Sequence, residues 1–143
     1  MKTDVMFSSN TDQWATPQSF FDELNKEFKF TLDPCADENN HKCDKYFTKE
    51  QNGLKQDWGG EVVFCNPPYG NKETGEWTRK CYEESLKPNT VVVLLIPART
   101  DRASFHEYIN GKAEIRFVRG RLKFGDGKNP APFASMVCIW RNT

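Results

Sequence analysis

Two short runs, EVVFCN at 61–66 and TVVVLLIP at 90–97, constrain this chain more than any other feature. Each is apolar at nearly every position, each ends at proline, and neither approaches the ~18 apolar residues of a membrane span. A strand that is apolar on both faces needs cover on both faces, the situation of a central strand in a parallel sheet. The neighbouring segments supply that cover. TPQSFFDELNKEF repeats Phe20, Phe21, Leu24 and Phe28 at helical spacing behind Thr16 as a cap and Pro17 at the first helical position. GEWTRKCYEESLK reads as a helix with Trp77, Cys81 and Leu86 on one side, and RASFHEYIN as another. FTLDP, KYFT, LKQDW, AEIRFVRG and FASMVCIWR read as further strands. Apolar strands alternating with helices predict an α/β fold, a mostly parallel sheet with helices on both faces.

A length of 143 residues fits one domain over 1–143, with 11 Phe and 4 Trp to fill a modest core. The first ten residues and the last two are expected to be frayed. MKTDVMFSSN lacks the apolar core of a signal peptide, which points to the cytoplasm and no membrane partner. The formal net charge is zero, so any surface for a polyanion must be local. Five cysteines without an export signal argue against a disulfide framework. Cys35, His41 and Cys43 cluster in CADENNHKC, but the spacing is irregular and no second ligand pair follows. No metal is expected.

Parallel sheets bind ligands outside the carboxyl ends of their strands. DPCAD, NPPYG and PART all fall there. In NPPYG, Pro67 and Pro68 fix the backbone and remove two donors, leaving carbonyls to point outward. Asn66 adds a side-chain carbonyl, and Tyr69 a flat ring that can stack without using its hydroxyl. Two acceptors facing an aromatic amine draw its lone pair out of conjugation and aim it at an electrophile, by orientation and electrostatics alone. A stiff strand stop is the other reading of the same residues.

NPPY resembles the catalytic motif of amino-methyltransferases that use S-adenosylmethionine. The chain from about residue 10 to 141 resembles the phage-type DNA N-6-adenine methyltransferase (Dam) family. The resemblance is carried by WATP, FTLDPCAD, NHKCDKYFT, GLKQDW, FCNPPYG, LLIPARTDRASFHE and IRFVRGRLKFG in that order. It implies a Rossmann-like class I methyltransferase core that methylates the exocyclic amine of a flipped-out adenine in DNA, with S-adenosylmethionine as cofactor. By the same resemblance Asn66, Pro67, Pro68 and Tyr69 are the catalytic residues. Thr16 and Pro17 match the helix start that meets the methionine part of the cofactor, and Asp33 and Ala36 lie where the first strand runs into the cofactor loop. Asp57 and Trp58 match the acidic-aromatic pair around the cofactor adenine, and Glu50 is the candidate for the ribose. One departure stands out: LDPCADENN carries none of the glycines usual in the first cofactor motif.

GKAEIRFVRGRLKFGDGK gathers Lys112, Arg116, Arg119, Arg121, Lys123 and Lys128 around Phe117 and Phe124, and PARTDR adds Arg99 and Arg102. Arg99, Arg102, Arg119, Arg121 and Lys123 are the candidates for holding DNA phosphates while a base leaves the stack; Lys112 and Lys128 are read as solvated. The short interval between Asp33 and Asn66 holds no insertion of domain size. No separate target-recognition domain is expected, which leaves loose specificity, a homodimer or a helper protein. Rival readings of the same motif are a methyltransferase for RNA or a protein glutamine, and a non-catalytic nucleic-acid-binding domain of the same fold.

Overall fold

The computed structural model describes residues 14–125 and 129–142. Its frame is one six-stranded sheet, in the order β2-β1-β3-β4-β6-β5. The strands are β1 (Leu32–Asp33), β2 (Lys45–Tyr46), β3 (Val62–Cys65), β4 (Thr90–Pro97), β5 (Glu114–Phe117) and β6 (Ser135–Asn142). Among the described residues two α-helices accompany them, α1 (Gln18–Phe28) and α2 (Asn71–Ser85).

β1 pairs in parallel with β2 and β3, and β3 in parallel with β4, but β6 runs antiparallel to both β4 and β5. The sheet is therefore mixed: β1 to β5 run one way and β6 alone runs against them. The cause lies in the link from β5 to β6. A parallel return needs a crossover, usually a helix, whereas an antiparallel neighbour does not. The described residues between these strands form no helix.

The apolar runs became the centre of the sheet, as their composition demands. Val63, Phe64, Cys65 and the stretch from Val92 to Ile96 are all buried. Side chains alternate along a strand. Phe64 meets Phe21 of α1 edge-on at 5.1 Å, while its neighbour Cys65 meets Cys81 of α2. Successive residues of β3 thus address different helices. Phe30 joins Phe21 and Phe64 on the first side, and Trp58 stacks near Trp77 at 6.2 Å.

Three local expectations fail for identifiable reasons. LKQDW is no strand; it holds a 3₁₀ turn at Gly53–Lys55, started by Asn52, whose Oδ1 accepts from Leu54 N–H. Gly53 sits so close to Pro34 that an added Cβ would lie 2.1 Å from the Pro34 carbonyl oxygen. RASFHEYIN is helical over 103–109 as expected, widening to a π turn at Phe105–Ile109 that Asn110 N–H closes by donating to the Phe105 carbonyl at 2.8 Å. Leu86 does not share the buried side of Trp77 and Cys81; it follows the end of α2 and is 58% exposed. Thr16 does not cap α1: Pro17 holds the cap position without a side-chain bond, and the Thr16 hydroxyl is used elsewhere. The first ten residues and Lys128 lie outside the described residues.

Among the described residues no helix is long and apolar enough to cross a membrane, and no His, Cys, Asp or Glu group is placed to hold a metal ion. His41 stacks on Tyr46 at 3.9 Å and its Nδ1 lies 2.8 Å from the Cys43 carbonyl oxygen. Burial pushes the Cys43 thiol up to about 12, away from the thiolate a metal requires.

Candidate active site

β3 delivers Asn66 to the carboxyl edge of the sheet, and the start of α1 receives it. The Asn66 amide nitrogen donates to the Trp14 carbonyl at 2.5 Å and to the Thr16 hydroxyl at 2.8 Å. A backbone carbonyl can only accept, so this contact fixes which end of the amide faces α1 and turns Oδ1 the other way. There Tyr69 Oη donates to it at 2.5 Å, and the same phenol lies 3.2 Å from the Leu95 carbonyl in β4. Burial raises the Tyr69 phenol well above its ordinary value, so it stays a neutral donor. Three segments of the chain therefore hold one asparagine carbonyl in place.

The two prolines divide their roles. The Pro68 carbonyl accepts from the Thr74 hydroxyl in the first turn of α2 at 3.0 Å, so it does not face outward as expected. Among the described residues no group donates to the Pro67 carbonyl. Asn66 Oδ1 and Pro67 O are thus the two acceptors available to an incoming amine.

Tyr69 is 4% exposed and is not displayed as a platform. Phe124 and Phe133 meet its ring edge-on at 6.1 and 5.6 Å, and Trp14 meets both phenylalanines in the same way. Phe133 carries no mark in the sequence beyond being aromatic; Trp14 stands in WATP, but its role lies in its carbonyl, which residue type does not reveal. Arg99 borders this cluster, its guanidinium 5.7 Å from the Phe133 ring and its Nη1 3.5 Å from the Tyr69 carbonyl. Arg102 donates to Asn71 at the start of α2.

Arg119, Arg121 and Lys123 are exposed on the segment that leads to Phe124. Arg121 donates to the Ala131 carbonyl at 3.2 Å, and Gly125 N–H to the Ala15 carbonyl beside Thr16. The segment that carries these cations therefore leads into the aromatic cluster around Tyr69. Arg116 belongs to a different face: it holds Glu27 through both guanidinium nitrogens and pairs with Glu114. Lys112 donates to the Glu107 carbonyl.

The cofactor candidates fall into two groups. Asp33 ends β1 buried, its carboxylate accepting from Lys42 N–H at 2.9 Å and Cys35 N–H at 3.3 Å. Ala36 N–H donates to the Phe47 carbonyl, which ties the same loop to the end of β2. Beside it lies a cavity of about 390 Å³ lined by Asp37, Glu38, Asn39, Asn40, Thr48 and Glu50. Asp57 and Trp58 do not reach this edge. They precede β3, at its amino end, where Asp57 is exposed and paired with Lys87 at 2.8 Å. Trp58 is fully buried, its indole N–H bonded to the Gly53 carbonyl. Trp58 has no exposed face to offer a cofactor adenine where it stands, and Asp57 stands at the opposite end of β3 from Asn66.

The model of the family described as DNA N-6-adenine-methyltransferase (Dam) matches residues 4–142. A DNA N-6-adenine-methyltransferase of Haemophilus phage HP1 is 34% identical over 128 residues, covering 84% of this chain and 73% of that protein. One from Escherichia phage T1 is 33% identical over 113 residues, covering 78% of this chain and 46% of that longer protein. The chain, with its Asn66-Pro67-Pro68-Tyr69 edge, belongs to the DNA N-6-adenine-methyltransferase (Dam) family.

Proposed function

We propose that the chain transfers a methyl group from S-adenosylmethionine to the N6 amine of an adenine turned out of DNA. The observation that carries this reading is the asparagine whose amide is fixed from three sides, next to a proline carbonyl that no described residue uses. The sheet reads as a Rossmann-like class I core, with α1 and α2 against opposite faces of β3.

The cavity beside β1 and β2 fits the cofactor by the chemistry of its lining. Asp37, Glu38, Glu50, Asn39, Asn40 and Thr48 supply carboxylates, amides and a hydroxyl and no cation. That set suits a ligand that brings positive charge and ribose hydroxyls. Asp37, Glu38 and Glu50 would accept from the ribose, while Asp33 and Ala36 hold the loop that carries the first of them. The bound cofactor supplies a methyl group made electrophilic by its sulfonium.

The chain's own work is orientation. Asn66 Oδ1 and Pro67 O accept the two amine hydrogens, which pulls the nitrogen lone pair away from the purine ring and toward the methyl donor. The Tyr69 hydroxyl keeps Oδ1 in position, and its ring forms one wall for the base once Phe124 and Phe133 yield their places. Arg99, Arg102, Arg119, Arg121 and Lys123 hold the phosphates beside the displaced base. Incubation with methyl-labelled S-adenosylmethionine and separate DNA, RNA and protein pools tests the assignment. Label recovered as N6-methyladenine from DNA is the expected result; label in RNA or protein instead, or in no pool, contradicts it.

A further inference from the structure

We propose that the Ser135 hydroxyl donates a hydrogen bond to the ring nitrogen of the target adenine opposite its amino group, N3. The proposal rests on the adenine-methylating reading above. It starts from an anomaly in the core. Ser135 is 1% exposed, yet its Oγ has no hydrogen-bond partner among the described residues, and it is the one buried side-chain polar atom of which this is true. Buried hydroxyls nearly always find a partner, so an exception needs a reason.

The register of the sheet shows where this hydroxyl points. In the β4–β6 pair Ser135 lies opposite Pro97, and Val137 opposite Leu95. In the β3–β4 pair Cys65 lies opposite Leu94, which puts the next residue, Asn66, level with Leu95. Residues directly opposite share a face, and alternate residues along a strand share it too. Ser135 therefore stands on the same face of the sheet as Asn66, one step further toward the carboxyl end of β4. Met136, on the other face, lines a small hollow under α2 with Thr74 and Phe105.

The distance suits a purine. Asn66 and Ser135 are two strand spacings apart across the sheet and two residues apart along it, about 12 Å between Cα atoms. An adenine with its amine one hydrogen bond from Asn66 and N3 one hydrogen bond from Ser135 spans about 10 Å between the two side-chain oxygens. N1 and N7 flank the amine and lie too near Asn66 to bridge that gap. Between the two residues on this face the register places Leu95 and Pro97, whose side chains are apolar, and the Tyr69 hydroxyl is already committed to Asn66 and Leu95. A base lying across them would meet a polar atom at each end, Asn66 at its amine and Ser135 at its far edge.

Single-turnover methylation of a duplex carrying adenine or 3-deazaadenine at the target tests this, with the parent chain, Ser135→Ala and Asn66→Ala. The parent should methylate the 3-deaza duplex about tenfold more slowly than the adenine duplex. Ser135→Ala should be about tenfold slow on adenine and lose no further rate on 3-deazaadenine, the signature of a direct pair. Asn66→Ala should be slow on both while keeping the parent's ratio between them. The thermal midpoint of Ser135→Ala should be unchanged or raised, because no bond made in the free protein is lost. Equal sensitivity to 3-deazaadenine in the parent and in Ser135→Ala would overturn the proposal, as would a parent indifferent to it. That parental result also decides the matter should Ser135→Ala fail to fold. Failure of the parent to methylate adenine at all would remove the underlying functional reading instead, and the proposal with it.

Discussion

At the scale of single residues, the structure changes what Tyr69 is for. Read as sequence, its ring alone mattered, and Tyr69→Phe should have kept much activity. The phenol instead donates to Asn66 Oδ1 and lies within reach of the Leu95 carbonyl, so the hydroxyl is part of the device that aims the asparagine. Tyr69→Phe should cost on the order of tenfold in kcat with little change in the affinity for cofactor, since one hydrogen bond is lost at a site remote from the cavity. Equal kcat in parent and variant would return the hydroxyl to a packing role. Asp33 makes a second prediction at this scale. Burial raises its carboxyl, so the folded chain keeps that proton at a pH where the unfolded chain has released it. Its contribution to stability is full below the ordinary carboxylate range and declines as pH rises through the raised folded value. Urea midpoints measured across that window should fall with pH for the parent, and fall less for Asp33→Asn. Parallel pH profiles would show that Asp33 does not carry the dependence.

At the scale of elements, the sequence is legible where hydrophobicity dominates and opaque where a single contact decides. β3, β4 and β6 follow from their apolar runs, and the catalytic edge follows from where β3 stops. The direction of β6 does not, because a strand has the same composition whichever way it runs. The turn at Gly53–Lys55 depends on one asparagine side chain and on the closeness of Pro34, neither of which periodicity records. The placement of Asp57 and Trp58 away from the carboxyl edge has a similar cause. The tryptophan is apolar enough to be drawn wholly into the core, and it leaves Asp57 at the amino end of β3 facing Lys87. Titration calorimetry with S-adenosylmethionine separates the two sites. Asp57→Ala should bind as the parent does, whereas Glu50→Gln combined with Asp37→Asn should bind at least tenfold more weakly, having lost two charged acceptors. The reverse ranking would restore Asp57 to the cofactor and empty the cavity of its role.

At the scale of the whole molecule, a chain of zero net charge has to meet a polyanion with a local patch. The segment bearing Arg119, Arg121 and Lys123 is anchored at Ala131 and, through Gly125, at Ala15 beside Thr16, which ties it to the start of α1 that holds Asn66. Changing all three to glutamine should weaken DNA binding and flatten the plot of log affinity against log salt by about 2 to 3 units. An unaltered slope would make the segment a solvated surface. The arrangement as a whole, however, depends on one asparagine held between the start of α1 and Tyr69. The most direct measurement is the rate of N6-methyladenine formation by Asn66→Ala under saturating DNA and cofactor, beside its cofactor affinity and melting temperature. The expected result is a folded variant that binds cofactor normally and methylates on the order of 100-fold more slowly or worse, as the loss of a preorganised acceptor requires. Methylation by Asn66→Ala at the parental rate would contradict it and leave Asn-Pro-Pro-Tyr as a stiff turn at the end of a strand.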